Sequence, residues 1–239
     1  MPRSRTARRG PGRPPHVVVA TRVFTPEPAA AAFRQEALVL ALERAGAEVS
    51  VLTTSAPGPA RTPSVAGRVS RWPVKRDRQG QVRGYLSYLS FDVPLALRLL
   101  FQRRMDALVL EPPPTTGLIG MVAAAIRRVP YTFYAADVWS DATDSVEGVP
   151  PLVRQAVRRA ETTVWIRAAH VLTISPGVQH RVQELVDGQA RATMVGNGID
   201  AATFSDHGED GGEKGPYFVY AGTVSEWQGA GVFVEAFAR

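Results

Sequence analysis

The chain has 239 residues, of which 45% are hydrophobic, 21% charged and 8% aromatic, so it is neither disordered nor fibrous and suits one large or two small domains. The absence of Cys excludes disulfides, thiolate metal sites and a cysteine nucleophile, and is consistent with a cytoplasmic protein. Arg or Asp interrupts every apolar run before it reaches the roughly 18 residues that a membrane-spanning helix needs.

The net charge of +6 arises from 28 Lys and Arg residues against 22 Asp and Glu residues. Five of the arginines lie in the first 13 residues, within an Arg- and Pro-rich tail that we place at 1–15 and expect to be disordered. The other 23 basic residues nearly balance the 22 acidic ones, so composition does not favour a nucleic-acid-binding domain. A nucleic-acid binder that uses only the tail remains an alternative.

From residue 16 onward, short apolar runs alternate with stretches of helical periodicity. This alternation predicts an α/β fold, a Rossmann-like doubly wound parallel sheet over 16–204. Predicted strands cover 16–20, 48–52, 107–110, 131–134, 171–174 and 192–195. Predicted helices cover 29–45, 85–104 with an interruption near Pro94, 117–128, 152–168 and 177–186.

Two segments break this alternation. Residues 53–84 are rich in Pro, Gly and Arg and are interpreted as a long exposed loop. Residues 205–215 are polar and Gly-rich and are interpreted as a linker between domains. The strand and helix pattern after it, at 216–239, predicts the start of a second Rossmann-like domain that this chain does not complete.

Four stretches together resemble the N-terminal half of a GT-B fold retaining glycosyltransferase of the family 4 type. The second of them is similar to an element of the N-acetyl-fucosamine transferase-like subgroup. They occur in the expected order: 25–34 with the following 43–53, Tyr-Ala-Ala-Asp-Val-Trp at 134–139, Leu-Thr-Ile-Ser at 172–175 with Val-Gly-Asn-Gly-Ile-Asp at 195–200, and Val-Tyr-Ala-Gly-Thr-Val-Ser-Glu-Trp-Gln-Gly at 219–229.

The resemblance implies that this domain orients the acceptor. It assigns Asp137 as catalytic and Glu27, Arg34 and Trp139 as acceptor-binding residues. Glu27 and Arg34 have an alternative interpretation as solvated loop and helix charges. The run at 134–136 has no His, although many relatives have one there, so a His contact to the donor is in doubt.

For the donor, the resemblance implies a nucleotide diphosphate sugar as substrate, with no cofactor and no metal. Donor-binding residues would be Asn197, Gly222, Thr223, Gln228 and Gly229, since glycine turns before a helix admit a diphosphate close to backbone amides. Many relatives place Arg and Lys where Thr223 and Gln228 stand. The remaining donor motif would follow Arg239, so we expect an incomplete cleft.

The implied function is retaining transfer of a sugar to a glycan or lipid-linked acceptor, in cell-surface polysaccharide or glycoconjugate synthesis. A non-catalytic or split half that binds an acceptor or a partner chain is the alternative. The Leu- and Arg-rich helix around 95–104, with Arg127 and Arg128, could contact an anionic bilayer or pack on the sheet. A dinucleotide site is excluded because the turn at 21–26 lacks G-x-G-x-x-G. The four His residues, at 16, 170, 180 and 207, share no spacing and are interpreted as structural or solvated.

Overall fold

The computed structural model describes residues 13–56, 65–77, 80–82, 84–146, 148–199, 219 and 230–237. Seven strands are β1 His16–Ala20, β2 Glu48–Thr54, β3 Arg68–Trp72, β4 Ala107–Leu110, β5 Tyr131–Ala135, β6 His170–Thr173 and β7 Ala192–Met194. Seven helices are α1 Ala30–Arg44, α2 Tyr85–Leu100, α3 Pro114–Arg127, α4 Trp139–Asp144, α5 Pro151–Arg167, α6 Pro176–Leu185 and α7 Ala230–Phe237.

The strands form one sheet in the order β3-β2-β1-β4-β5-β6-β7, and every neighbouring pair is parallel. In chain order, β2 pairs with one side of β1 and β3 follows it at that edge of the sheet. The chain then crosses to the other side of β1, where β4, β5, β6 and β7 follow one another to the opposite edge. Because the strands are parallel, all their carboxyl ends lie along one edge of the sheet. The order reverses between β1 and β4, which is where open α/β sheets form a crevice for ligands. The predicted Rossmann-like parallel sheet is confirmed.

Helices cover the two faces of the sheet unequally. On one face, α1 packs through Val39 against the alternating valines of β1 and β2. On the other face, α2, α3, α5 and α6 pack over a larger core that includes Leu95, Leu99 and Trp165. The central strands β1, β2, β4 and β5 bury side chains on both faces, which explains why their sequences are runs of apolar residues rather than alternating ones.

Helix α3 lies unusually close to the sheet because glycines face it. A Cβ atom on Gly120 would overlap the Leu110 side chain of β4, and one on Gly117 would lie 2.9 Å from the Phe133 ring of β5. The small residues in the sequence of α3 therefore set its distance from β4 and β5.

The prediction of a loop throughout 53–84 is wrong. Residues 68–72 form β3, which pairs in parallel with β2 at the edge of the sheet. The sequence Arg-Val-Ser-Arg-Trp is not an apolar run, so it was not predicted to be a strand. An edge strand can carry polar residues on both faces because it is less buried than a central one. Its placement depends on long-range contacts, since the Arg71 guanidinium donates to the carbonyls of Thr25 (2.6 Å) and Thr54 (3.3 Å).

Smaller differences concern the helices. The loop expected after β5 contains the short helix α4, so Asp141 and Asp144 lie on a helix. Helix α2 continues through Pro94 without interruption and ends at Leu100, four residues before the predicted end. Helix α7 lies in the stretch where the second domain was predicted to begin, while the predicted linker at 205–215 falls outside the described residues. Among the described helices, none is long and apolar enough to cross a bilayer.

Candidate functional site

Polar side chains meet where the strand order reverses. Thr21 and Arg22 directly follow β1, and Glu111 directly follows β4. Arg34 and Gln35 reach the same place from the first turns of α1, and Tyr88 and Asp92 reach it from α2. We call these seven residues the switch-point cluster. It occupies the carboxyl edge of the sheet, where the fold predicts a ligand crevice.

Glu111 is the buried centre of the cluster. Its carboxylate accepts hydrogen bonds from Thr21 Oγ1 and, at 2.6 Å, from Gln35 Nε2. It lies 3.6 Å from Arg34 Nη2. Burial raises the pKa of Glu111, and the charge of Arg34 opposes that shift. The carboxyl group thus positions one residue from β1 and two from α1.

Arg22 is half-buried, with its Nε and Nη1 atoms shielded from solvent, and its guanidinium lies above an aromatic ring. Its guanidinium carbon lies 4.2 Å from the centroid of the Tyr88 ring, and Nη2 donates to the carbonyl of Pro112 at 3.2 Å. Burial lowers the pKa of Arg22, while Tyr88, Glu111 and Asp92 favour its charged form. Burying a guanidinium is costly unless its remaining N–H groups find acceptors.

Several buried polar atoms of the cluster have no hydrogen-bond partner within the described chain. They are Nε and Nη1 of Arg22, Nε of Arg34, Oε1 of Gln35 and Oδ2 of Asp92. The other carboxylate oxygen of Asp92 accepts a 2.6 Å hydrogen bond from Thr116 Oγ1, and burial raises the pKa of Asp92. These buried donors and acceptors lie at the carboxyl edge of the sheet, where open α/β sheets bind ligands, and a polar ligand there could satisfy them.

Trp139 joins the cluster through Tyr88. The two rings meet edge to face with centroids 6.0 Å apart. The backbone of Trp139 is held by Glu161 of α5, whose carboxylate accepts from the amides of Trp139 (2.7 Å) and Ser140 (2.9 Å). Burial raises the pKa of Glu161, and these amides oppose the shift. Glu161 thereby caps the start of α4 and orients the indole.

Arg34 links the cluster to the loop after β7. Its guanidinium carbon lies 5.3 Å from the Tyr134 ring centroid, and Tyr134 Oη donates to the carbonyl of Gly196 at 2.7 Å. Asn197, the next residue, is exposed. Asp137 is also exposed, two residues past the end of β5, and makes no hydrogen bond or ion pair with the described residues. Arg34 belongs to the switch-point cluster, Trp139 contacts it through Tyr88, and Tyr134 links Arg34 to the neighbour of Asn197. Asp137 has no hydrogen bond or ion pair that joins it to these residues.

Glu27 lies apart from these residues. Its carboxylate forms a bidentate pair with Arg76, with Nη1–Oε2 and Nη2–Oε1 distances of 3.0 and 2.9 Å, and Thr54 Oγ1 is 3.3 Å from Oε1. The side chains of Arg76 and Glu27 are 14% and 11% exposed, so the interpretation of Glu27 as a solvated charge is wrong. This pair joins the segment after β3 to the loop after β1, and Arg76 also donates to Thr54 and Ser55 at the end of β2.

The remaining predicted donor residues, Gly222, Thr223, Gln228 and Gly229, lie outside the described residues. Asp141 pairs with Arg181 at 2.8 Å and Asp144 pairs with Arg158 at 2.6 Å. Over the described ranges, no group of three or more His, Asp and Glu side chains is placed to hold a metal ion.

Six residues of the switch-point cluster were not predicted from the sequence: Thr21, Arg22, Gln35, Tyr88, Asp92 and Glu111. A usable signal was present for Arg22 and Glu111, because charged residues directly after two buried strands mark the carboxyl edge of a parallel sheet. Tyr88 and Asp92 gave no such signal, since α2 follows a long irregular segment whose path the sequence does not reveal.

Comparison with solved structures finds the same fold in glycosyltransferases. Sucrose-phosphate synthase of Thermosynechococcus elongatus aligns with a TM-score of 0.52 and 13% identity, over 77% of this chain and 48% of that one. HepE of Anabaena, solved in complex with UDP and glucose, aligns with a TM-score of 0.51 and 15% identity, over 78% and 45%. UGT73P12 of Glycyrrhiza uralensis, complexed with glycyrrhetinic acid 3-O-monoglucuronide, aligns with a TM-score of 0.50 and 12% identity, over 77% and 49%.

The chain thus spans about half the length of each of these structures. No curated protein matches it in sequence. The sequence model of one family, described as the glycosyl transferase 4-like domain, matches residues 29–198, which include α1, β2 to β7 and most of the switch-point cluster. Together with the Rossmann-like sheet, this match shows that the chain belongs to the glycosyl transferase 4-like domain family.

Proposed function

We propose that this chain is the acceptor-side part of a glycosyltransferase that moves a sugar from a nucleotide diphosphate sugar to a glycan or lipid-linked acceptor, with retention. The single observation that carries the proposal is the switch-point cluster, with its unsatisfied donors on Arg22 and Arg34 at the carboxyl edge of the sheet. Sugar hydroxyls and phosphate oxygens are the acceptors that such guanidinium groups bind best. Membership of the family supports the same reaction class.

In this proposal, Arg34 and Trp139 hold the acceptor. A guanidinium donates to hydroxyl or phosphate oxygens, and a half-buried indole provides an apolar face for a sugar ring. Asp137 is the proposed catalytic group, because an exposed carboxylate just past a strand end is free to accept a proton from an acceptor hydroxyl. The main contribution of the domain would be to orient the acceptor. Asn197 and the glycine turn at 222–229 would contact the donor, whose diphosphate charge is stabilised by amides as it leaves.

Two arginines on one helix test the acceptor site. Arg34 lies at the crevice and Arg44 lies at the far end of α1 and is exposed. Octyl glycosides of glucose, galactose and N-acetylglucosamine serve as acceptor probes in saturation-transfer NMR with the full chain. We expect Arg34→Gln to abolish the saturation-transfer signal of the bound glycosides and Arg44→Gln to leave that signal unchanged. An equal saturation-transfer signal in both variants, or no signal with the wild-type protein, would contradict the proposal that Arg34 belongs to an acceptor site.

The native protein isolated from its own cells tests catalysis. Its intact mass distinguishes a chain of 25.8 kDa from a longer one.

Incubation with radiolabelled UDP- and GDP-sugars and a membrane extract measures sugar transfer to an acceptor. In that assay, we expect Asp137→Asn to lower kcat by about 10²-fold or more. Asp187→Asn, at an exposed position with φ of 50° that Asn tolerates, is the control. A native mass near 25.8 kDa without transfer would favour the non-catalytic or split half.

We also propose that the protein is cytoplasmic and contacts a membrane surface where a lipid-linked acceptor would be presented. Five exposed apolar side chains follow one face of α2 at spacings of three and four residues. They are Leu86, Leu89, Val93, Leu97 and Phe101, which we call the α2 stripe. Leu95 and Leu99, predicted to contact either the bilayer or the sheet, belong to the core.

Charge supports an anionic surface as the partner of the α2 stripe. The only carboxylate of α2 and α3 is Asp92, which is buried, whereas Arg103 and Arg128 are exposed at the ends of these helices. The exposed face is therefore apolar and basic, the combination that favours anionic lipid surfaces. In vesicle co-sedimentation, we expect Leu89→Gln/Leu97→Gln to lose binding to phosphatidylglycerol vesicles. The control Leu152→Gln/Met194→Gln, also at exposed positions, should keep it. Absence of wild-type binding would contradict the membrane contact.

A further inference from the structure

A cavity of about 500 Å³ lies at the opposite end of the sheet from the switch-point cluster. Its floor is formed by the amino ends of β1, β2 and β3, and its wall by the last turn of α2 and the residues that follow. Five arginines line it, with Glu48 as the carboxylate among the lining residues: Arg13, Arg68, Arg98, Arg103 and Arg104. We call it the arginine cavity.

One of these arginines is neutralised. Arg104 pairs with Glu48 at 2.9 Å and with Asp106 at 3.0 Å. The side chains of Arg13, Arg68 and Arg103 make no hydrogen bond or ion pair with the described residues. Arg98 donates only to oxygens of Ser70 and Thr53, the shortest distance being 2.6 Å, and faces no carboxylate.

Arg98 lies deepest of the four. It is half-buried between α2 and β3, and burial lowers its pKa with no acidic group to oppose the shift. Five arginines against Glu48 and Asp106 leave a net positive charge at the cavity, and its self-repulsion destabilises the folded chain unless an anion compensates it. Arginine forks offer several parallel N–H donors, which match the oxygens of a phosphate group.

We propose that the arginine cavity binds a phosphate-bearing anion, with Arg68 and Arg103 as the accessible ligands and Arg98 at the floor. The volume suits a molecule up to the size of a nucleotide. Leu52 and Phe101 add apolar surface to the lining. This binding is independent of glycosyl transfer, since it uses the amino ends of the strands and none of the switch-point cluster.

Two sources could supply the phosphate. One is a soluble phosphate ester. The other is a lipid headgroup, because Phe101 belongs both to the cavity lining and to the α2 stripe. A protein docked through that stripe would hold the cavity near the headgroup layer.

A matched pair of double variants tests the proposal in the full chain. Arg68→Gln/Arg103→Gln removes two exposed charges from the cavity. Arg44→Gln/Arg191→Gln removes two exposed charges elsewhere and keeps the same net charge. Isothermal titration with inorganic pyrophosphate and with glycerol phosphate measures soluble anions. Co-sedimentation with phosphatidylglycerol and phosphatidylcholine vesicles measures the headgroup.

We expect the cavity variant to bind its probe about tenfold or more weakly, and the control variant to bind within about twofold of wild type. Loss in the titrations identifies a soluble ester, and loss confined to anionic vesicles identifies a headgroup. Wild-type protein that binds neither probe, or equal loss in the two double variants, overturns the proposal. None of these readouts depends on glycosyl transfer, so their failure is distinguishable from failure of the proposed transferase activity, and Leu89→Gln/Leu97→Gln separates the α2 stripe from the cavity in the vesicle assay.

Discussion

Gln35 on α1 donates a 2.6 Å hydrogen bond to Glu111, the residue directly after β4. The two residues are 76 positions apart in the chain, and both are buried. The bond therefore fixes the start of α1 against the central strands of the sheet. It also holds Arg34, the neighbour of Gln35, at the rim of the crevice. A structural contact thus sets the position of a proposed ligand-binding group.

Replacement of Glu111 by Gln should change how stability depends on pH. Burial raises the pKa of Glu111 in the folded chain above its ordinary value of 4.5. As pH rises through that ordinary value, the unfolded chain releases the proton first, so the free energy of unfolding falls until the folded group also ionises. The glutamine side chain in the variant Glu111→Gln does not titrate. The free energy of unfolding of the wild type minus that of the variant should therefore fall as pH rises above about 4.5.

Urea unfolding at pH 4 to 8 measures this difference. Glu235→Gln, an exposed position on α7, is the control and should show no such trend. A difference that rises with pH would show that attraction from Arg34 outweighs the cost of burial.

The Glu27–Arg76 pair should stabilise the segment after β3. Arg76→Met leaves Glu27 buried without its partner, which should lower the free energy of unfolding by about 2–4 kcal/mol. The double variant Glu27→Gln/Arg76→Met leaves no unpaired charge and should recover part of that loss. Arg158→Met breaks a pair whose side chains are 47% and 38% exposed, and should cost less than about 1 kcal/mol. Chemical denaturation followed by circular dichroism measures these losses. An equal loss of stability in all three variants would contradict the stabilising role of the Glu27–Arg76 pair.

Gly120→Ala should destabilise the fold although the site is helical. The added methyl group would overlap the Leu110 side chain, so α3 must move away from β4, at a cost of about 1–3 kcal/mol. In Gly177→Ala the nearest atom lies 3.9 Å away, so the better helix propensity of Ala should leave stability unchanged or raise it by up to about 1 kcal/mol. Thermal unfolding of both proteins measures the contrast, and similar melting temperatures would argue against close packing of α3.

Glu161→Ala should loosen the start of α4. The amides of Trp139 and Ser140 then lose their acceptor, and we expect a loss of about 2–4 kcal/mol because the carboxylate is buried. Glu161→Gln keeps one carbonyl oxygen and should lose less. Emission of Trp139 reports the local change, and it is obtained by subtracting the spectrum of the same variant that also carries Trp139→Phe. Unchanged stability in the Ala variant would mean that water replaces both hydrogen bonds.

The sequence by itself determined the α/β class, six of the seven strands and the family. Buried parallel strands are apolar on both faces, so β1, β2 and β4 to β7 stand out as short runs between helical patterns. It also indicated Arg34 and Trp139 as candidate site residues, through motifs that resemble a known family.

Only the tertiary structure decided where β3 pairs, which strands lie side by side and which polar residues meet. The strand order depends on crossovers between segments far apart in the chain, and local patterns do not encode it. Arg22, Tyr88 and Glu111 come from three separate elements, and their contacts exist only once β1, β4 and α2 are in place. Burial then changes their chemistry, because a charge that is solvated in the unfolded chain lies in a crevice of low polarity after folding.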